Sequence, residues 1–208
     1  INAKAVTISE PGGPEVLHIK PHSVRKPGGS EILVEVAAAG LNRADTLQRR
    51  GLYPAPTNAS AQIPGLEYAG LVRQVGPAVQ RWSVGDRVMG IVPGGGMSTQ
   101  LITHEREALP IPANMDLTTA AAIPETFLTA FDALYLQAKL AMGERLLIHA
   151  VGSGIGTSAL QLALAMNAEV TGTSRTASKI ERCQDLGLVQ GIHVTDGRFA
   201  DNLSVHVI

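Results

Sequence analysis

A glycine-rich turn is the clearest chemical signal in the chain. The apolar run 146–150 leads into VGSGIG (151–156) and then into a helical pattern. A helix that starts after such a turn presents unpaired N–H groups and the positive end of its dipole, and glycines let an anion approach the backbone. Gly152 and Gly154 match the first two glycines of G-x-G-x-x-G, whereas Thr157 stands at the third. The setting between strand and helix favours a dinucleotide pyrophosphate over a simple tight turn.

The next predicted strand ends without the acidic residue that NAD-binding folds carry. An Asp or Glu about 20 residues after the turn usually holds the ribose hydroxyls of NAD. Here the segment reads TGTSR (171–175), and Arg175 and Lys179 supply positive charge that suits a 2′-phosphate. The alternative is that both cations belong to a solvated helix start. We therefore predict NADPH as the cofactor.

The turn and the cations belong to a region in which strands and helices alternate, as in a parallel, doubly wound sheet. The predicted strands are 146–150, 169–173 and 190–194, and the predicted helices are 116–122, 124–140, 156–166 and 177–186. A dinucleotide fold has two βαβαβ halves, and this pattern covers one half before an apolar run at 205–208. We expect residues 121–208 to be the N-terminal half of a Rossmann domain, truncated from a longer enzyme.

Before residue 120, short predicted strands are separated by turns rich in glycine and proline. These strands are 4–8, 16–20, 31–38, 68–75, 86–92 and 99–103. Such close spacing indicates a small, barrel-like all-β domain at residues 1–120. One short helix interrupts the strands, because Asn42 is a suitable N-cap and Gly51 can adopt the left-handed backbone that ends a helix.

Composition excludes several classes of protein. The chain has 208 residues, a net charge of −1, 45% hydrophobic and 17% charged residues, which is the balance of a globular protein without a polybasic surface for nucleic acid or membrane. Cys183 is the only cysteine, so an intrachain disulfide and a cysteine-rich zinc site are excluded. Apolar stretches are too short to span a bilayer and no leader opens the chain, so we expect a cytoplasmic protein.

Several segments together resemble one family. They are GLNRAD (40–45), QRRGLY (48–53), IPGLEYAG (63–70), GDRVMG (85–90), PGGG (93–96), AAIPETFLTAF (121–131) and the glycine turn. In this order they are similar to the zinc-independent quinone oxidoreductases of the medium-chain dehydrogenase/reductase superfamily, up to about residue 195. The resemblance implies an α/β fold in which a GroES-like β-barrel catalytic domain precedes the Rossmann domain. It also implies hydride transfer from NADPH to a small-molecule quinone, and a homodimer for the full-length enzyme.

The resemblance further implies an active site without a metal. Zinc-dependent relatives place a ligand cysteine where Asn42 stands and a ligand histidine where Leu66 stands, and neither side chain here suits that role. By the same resemblance, Asn42, Tyr53 and Thr129 lie around the nicotinamide and the substrate. Asn42 and Tyr53 could then donate hydrogen bonds to a carbonyl that gains negative charge. Each has a structural alternative: Asn42 as the helix cap, Tyr53 as a loop aromatic on prolines, and Thr129 bonded to its own helix.

The expected cofactor-binding residues lie in the turn and after the second strand. They are Gly152, Ser153, Gly154, Ile155, Gly156, Ser174, Arg175 and Lys179. Relatives often use a tyrosine after the third strand for the 2′-phosphate, and this chain departs from that pattern with IHV at 192–194.

Two other functions stay open. α,β-Unsaturated carbonyls accept hydride as quinones do, and a substrate panel would separate the two classes. A chain with half a Rossmann sheet, and therefore a raw sheet edge, could instead be a non-catalytic nucleotide-binding module. The neutral charge gives no support for RNA binding.

Overall fold

The computed structural model describes residues 1–54, 56 and 60–200 of the chain. Contacts within the chain divide it into two compact units, one from Ile1 to Glu125 and one that begins at Thr126. Each unit has hydrophobic clusters of its own. The predicted domain boundary between residues 120 and 121 stays a prediction, since compactness alone does not define a folding domain.

The first unit is built from antiparallel strands. Its strands are β1 (Asn2–Ile8), β2 (Leu17–Ser23), β3 (Glu31–Ala38), β4 (Glu67–Val75), β5 (Arg87–Ile91), β6 (Gln100–His104) and β7 (Ala108–Pro110). β1 pairs with β2, and the other five form one sheet in the order β6-β3-β4-β5-β7. Because side chains alternate across a strand, Ile32 and Val34 of β3 are both fully buried and join Val72 of β4 in one core.

The strands form two sheets, whereas the sequence predicts a barrel. In the described residues, β1 meets the loop before β6 through an isolated bridge between Ala5 and Ser98 and not through a continuous ladder. Closure depends on strand tilt and stagger, which apolar periodicity does not record. β7 lies outside the predicted strands, because three residues are too few to show alternation.

Two short helices belong to the first unit: α1 (Arg43–Arg49) and α2 (Leu117–Ala120). α1 follows its N-cap residue Asn42, and the chain turns at Gly51, where φ is +74°. Glycine adopts this left-handed conformation without steric cost, so the predicted helix bounds are confirmed to within two residues. Asp116 caps α2 by accepting the Thr119 N–H at 2.9 Å.

The second unit shows the predicted alternation of parallel strands and helices. Its elements are α3 (Pro124–Phe131), which begins just before the division, β8 (Arg145–Ile148), α4 (Gly154–Ala165), β9 (Glu169–Ser174), α5 (Ala177–Asp185) and β10 (Gln190–His193). The sheet is parallel, with the order β10-β9-β8. Parallel strands alternate with helices, as predicted for a doubly wound sheet; the apolar run 205–208 lies outside the described residues.

The helix predicted over residues 124–140 consists of two kinds of turn. α3 ends at Phe131 and a π-helical segment, Asp132–Gln137, continues it. Within that segment, the Tyr135 hydroxyl donates to the Leu162 carbonyl of α4 at 2.8 Å. A single π turn leaves no mark on apolar periodicity, so the sequence could not distinguish it from α-helix.

The core of the second unit lies between its helices and its sheet. Leu160 of α4, Val170 of β9 and Cys183 of α5 are all buried in one cluster. This packing fixes the glycine turn between β8 and α4. Across the described ranges, no helix combines the length and the apolar character needed to cross a bilayer.

Candidate functional site

The glycine turn joins β8 to α4 and is shaped by its own hydrogen bonds. Ala150 has a φ of +52°, and the Val151 N–H donates to the Thr173 carbonyl of β9 at 2.9 Å. Ser153 is the N-cap of α4, and its Oγ accepts the Gly156 N–H at 3.1 Å. The first N–H groups of any helix lack an intrahelical acceptor, and at α4 the Gly156 N–H is satisfied by this cap. The N–H groups of Gly154 and Ile155, at the very start of the helix, are the ones an anion could approach.

Of the three glycines in the turn, Gly156 is the one whose Cβ would meet backbone atoms. A Cβ placed on it would lie 2.5 Å from the Ala150 carbonyl oxygen and 2.6 Å from the Val151 carbonyl oxygen. Real Cβ atoms do not approach backbone atoms so closely. In G-x-G-x-x-G, the third glycine allows the helix to pack closely on the strand. Here Gly156 makes that close approach, one residue before Thr157, which stands at the third position of the motif.

The other two glycines of the turn face side chains. A Cβ on Gly152 would lie 2.6 Å from the Cβ of Lys179, and a Cβ on Gly154 would lie 3.2 Å from Cγ2 of Thr126. Lys179 of α5 therefore packs its aliphatic stem directly over Gly152. The missing side chains at Gly152 and Gly154 therefore make room for close packing of Lys179 and Thr126 on the turn. Glycine turns between a strand and a helix are the kind that bind a pyrophosphate in dinucleotide-binding folds.

Two exposed cations stand at the end of β9 and the start of α5. Arg175 follows the last residue of β9, and Lys179 lies in the first turn of α5. No ion pair is found for either within the part of the chain that the structure describes. Ser174 is buried, and its Oγ accepts the Thr176 N–H at 3.1 Å. The arrangement provides uncompensated positive charge beside the glycine turn, as a phosphate site needs.

His193 approaches this cationic segment from β10. Its Nε2 lies 3.3 Å from the carbonyl oxygen of Arg175. His149 is placed otherwise: its Nδ1 lies 3.1 Å from the Thr173 hydroxyl, and its ring packs edge to face on Phe199 with centroids 4.7 Å apart. His149 therefore has structural contacts, whereas His193 neighbours the predicted cofactor residues.

In the first unit, Asn42 is hydrogen-bonded to a buried carboxylate. Asn42 Nδ2 donates to Glu67 Oε1 at 2.8 Å, and the N–H of Glu125 donates to Glu67 Oε2 at 2.9 Å. Glu67 is only 2% exposed. A Cβ on Gly40 would overlap Oε1, so the absence of a side chain there makes room for the carboxylate.

A second carboxylate fixes the backbone around Asn42. Asp45 is buried; its Oδ2 accepts the Asn42 N–H at 2.8 Å, and its Oδ1 accepts the Gly65 N–H at 2.9 Å. Burial raises the pKa of the Glu125 carboxyl, and the negative charges of Glu67 and Asp45 raise it further. At the start of α1, Asp45 thus holds the Asn42 backbone, while Glu67 holds the Asn42 side chain.

The other two predicted catalytic residues, Tyr53 and Thr129, belong to different units. Tyr53 lies in the loop after α1, in the first unit, and is 39% exposed. Thr129 is exposed on α3, in the second unit. Among the described residues, no group of three or more His, Cys, Asp or Glu side chains could hold a metal ion.

Two residues beyond the predicted set belong to these surroundings: Glu67 and Thr126. Thr126 Oγ1 accepts the Ser158 hydroxyl at 2.9 Å, which ties α3 to α4 beside Gly154. Both residues lie inside segments that carried the family resemblance. Their partners are 25 and 32 residues away in the chain, so no local spacing could have revealed the pairs.

Comparisons with known proteins agree with this architecture. Residues 28–113 match the alcohol dehydrogenase GroES-like domain. The chain is 37% identical over 186 residues to a quinone oxidoreductase from Pseudomonas aeruginosa, which covers 89% of this chain and 57% of that protein. The chain therefore spans little more than half the length of this curated relative.

Solved structures give the same result. The quinone oxidoreductase of Pseudomonas syringae pathovar tomato superposes with a TM-score of 0.86 at 34% identity, over 96% of this chain and 61% of that one. The CurK enoyl reductase superposes with a TM-score of 0.85 at 35% identity, again over 96% and 61%.

Proposed function

Because the chain belongs to the medium-chain dehydrogenase/reductase superfamily, with quinone oxidoreductases among its relatives, we propose that it acts in the NADPH-dependent reduction of quinones without a metal. The observation that carries this proposal is the glycine turn before α4, with Lys179 packed over Gly152. Turns of this kind bind the pyrophosphate of dinucleotides. The substrate is a small molecule, and the cofactor class follows from the uncompensated cations beside the turn.

The residues of the second unit fit the cofactor. Backbone N–H groups at the start of α4 would hold the pyrophosphate, and the cations would hold the 2′-phosphate of NADPH. The residues concerned are Gly152, Ser153, Gly154, Ile155, Gly156, Ser174, Arg175 and Lys179. When bound, NADPH supplies the hydride, while the protein supplies orientation and electrostatics.

The catalytic residues of the proposal are Asn42, Tyr53 and Thr129. Asn42 and Tyr53 donate hydrogen bonds to the carbonyl oxygen as it gains negative charge, and Thr129 orients the reacting groups. Donors aimed at a developing oxyanion contribute about 10²- to 10³-fold to kcat each. A quinone is already electrophilic, so the proposal needs no metal to activate it. The family resemblance supports this, because zinc-dependent relatives place their ligand cysteine and histidine where Asn42 and Leu66 stand.

Reduction of α,β-unsaturated carbonyls is the second candidate. Its support is the CurK enoyl reductase, which is as similar to this chain as the quinone oxidoreductases are. Both substrate classes present a carbonyl oxygen to the same donors. The two candidate reactions are therefore distinguished by measuring which acceptor the purified protein reduces faster.

The first test is the intact mass of the purified protein, followed by titration with NADPH and NADH. We expect NADPH to bind about 10-fold or more tightly than NADH, since a charge-assisted phosphate contact is worth about 1.5–3 kcal/mol.

NADPH oxidation is then followed with benzoquinone, naphthoquinone and an enone. Turnover of quinones supports the proposal, and faster turnover of the enone supports the second candidate. Cofactor binding without any turnover would identify a non-catalytic nucleotide-binding module.

A further inference from the structure

The hydrogen bond between Asn42 and Glu67 favours one of the two orientations of the Asn42 amide. An asparagine amide can present either its oxygen or its nitrogen to a neighbour. A carboxylate accepts hydrogen bonds and donates none, so it favours the orientation in which Asn42 Nδ2 faces Glu67, at 2.8 Å. With the amide reversed, two acceptor oxygens would meet inside a buried site, which is costly.

We propose that Glu67 is the positioning residue for Asn42, holding the amide so that its second Nδ2 proton is the one offered to the substrate oxygen. This inference rests on the proposed function. One proton of Nδ2 is taken by Glu67, and the second projects from the same nitrogen in a different direction.

Glu67 itself is held from three directions. The Glu125 N–H donates to Oε2, Asn42 donates to Oε1, and the Gly40 backbone packs against Oε1, in the space that a Cβ at Gly40 would occupy. No Lys, Arg or His of the described residues forms an ion pair with this carboxylate. Glu67 thus has one acceptor for the helix α3 backbone and one for Asn42, and the second bond serves no secondary structure.

The chain offers a matched control for Glu67. Glu105 is also a buried carboxylate of the first unit, 6% exposed, and its Oε2 accepts the N–H groups of Gln80 and Arg81 at 2.9 Å each. Both hydrogen-bond donors to its carboxylate are backbone N–H groups. A substitution of either residue by glutamine removes a buried carboxylate, but only the substitution of Glu67 alters an amide side chain.

The test is Glu67→Gln, in which a donor replaces one of the two acceptor oxygens. We expect kcat with NADPH and a quinone to fall about 10- to 100-fold, with the Kd for NADPH within about 2-fold of the unaltered protein. In the Asn42→Ala background, the same change should alter kcat by less than about 2-fold, because Glu67 then has nothing to position. Glu105→Gln should leave kcat unchanged.

A second readout is independent of turnover. The side-chain amide resonances of Asn42, assigned by their loss in Asn42→Ala, should shift in Glu67→Gln and stay in place in Glu105→Gln. If Glu67→Gln fails to fold, Gly40→Ala displaces the carboxylate while keeping both residues, and should give the same loss and the same shift. Unshifted resonances, or an additive loss of kcat in the double variant, would overturn the positioning role. An inactive unaltered protein would instead overturn the proposed function, and the resonances alone would then decide the role of Glu67.

Discussion

The Cβ of Lys179 occupies the space into which a side chain on Gly152 would point, 2.6 Å from where its Cβ would be. The first glycine of the turn and the cation of α5 are therefore mutually dependent in the structure. Any side chain at position 152 must displace Lys179. Both residues lie in the second unit, so the glycine turn and the Lys179 side chain pack as one local structure.

The first prediction concerns Lys179→Met, which keeps most of the aliphatic stem over Gly152 and removes the charge. We expect the affinity for NADPH to fall about 10- to 100-fold, which corresponds to the loss of one charge-assisted hydrogen bond, while NADH binding changes little. Isothermal titration with each dinucleotide measures both. Arg182→Met removes an exposed charge from the last turn of the same helix and is the control. Equal loss of both dinucleotides would contradict the assignment to the 2′-phosphate.

The second prediction concerns Gly156→Ala. The added Cβ would meet the carbonyl oxygens of Ala150 and Val151, which belong to the backbone and cannot rotate away. We expect the free energy of unfolding to fall by about 3 kcal/mol or more, measured by chemical denaturation. Gly28→Ala is the control, because its Cβ would meet only Glu31 Oε2 at 3.8 Å, and it should change stability by about 0.5 kcal/mol or less. Similar losses in the two variants would show that the close approach at Gly156 is not rigid.

The third prediction uses Cys183 as a reporter of the turn. This thiol is 1% exposed, its Sγ lies 3.6 Å from the Val151 carbonyl oxygen, and burial raises its pKa. Reaction with a disulfide reagent should be about 100-fold or more slower in the folded protein than in denaturant. NADPH should slow it further, because a ligand that binds only the folded state stabilises the turn beside this thiol. Rapid labelling without denaturant would show that α5 opens readily.

The fourth prediction is a pH dependence that follows from Glu125. Its folded-state pKa is raised above the usual 4.5, by burial first and then by the charges of Glu67 and Asp45. The folded state therefore binds this proton more tightly than the unfolded state does, and stability falls as the pH rises through the folded-state pKa. Glu125→Gln removes that loss, so its stability relative to the unaltered protein should increase between pH 4 and neutral pH. Denaturant midpoints at both ends of that range measure it; a constant difference would rule out the shift.

Local periodicity predicted most of this fold. The pattern over residues 31–38 became β3, although Leu33 is buried in a different cluster from Ile32 and Val34. The apolar face of residues 156–166 became most of α4, because burial of one face of a helix dictates its repeat. The π turn over Asp132–Gln137 and the open arrangement of β1 were not predictable in this way. The π turn contains Tyr135, which donates to the Leu162 carbonyl, and the position of β1 depends on its pairing with β2 and its bridge to Ser98. These contacts join residues that are distant in the chain.

The candidate site was predictable only where its residues are neighbours in sequence. The glycine turn is one continuous segment, and its strand–turn–helix context identified it. The motif nevertheless suggested an imperfect match at Thr157, because the close approach that demands a glycine is made at Gly156. Glu67 was not predictable, because its hydrogen bond to Asn42 joins residues that are 25 positions apart and no periodicity connects the two.

Ala150 holds a left-handed backbone although it carries a Cβ, at a cost of about 1–2 kcal/mol. An unfolded chain seldom visits this conformation at alanine, so the surrounding hydrogen bonds of Val151 and Ser153 must enforce it. The turn therefore has its shape before any anion arrives. The entropy of ordering it is lost during folding, and a ligand meets a rigid template that needs little further adjustment.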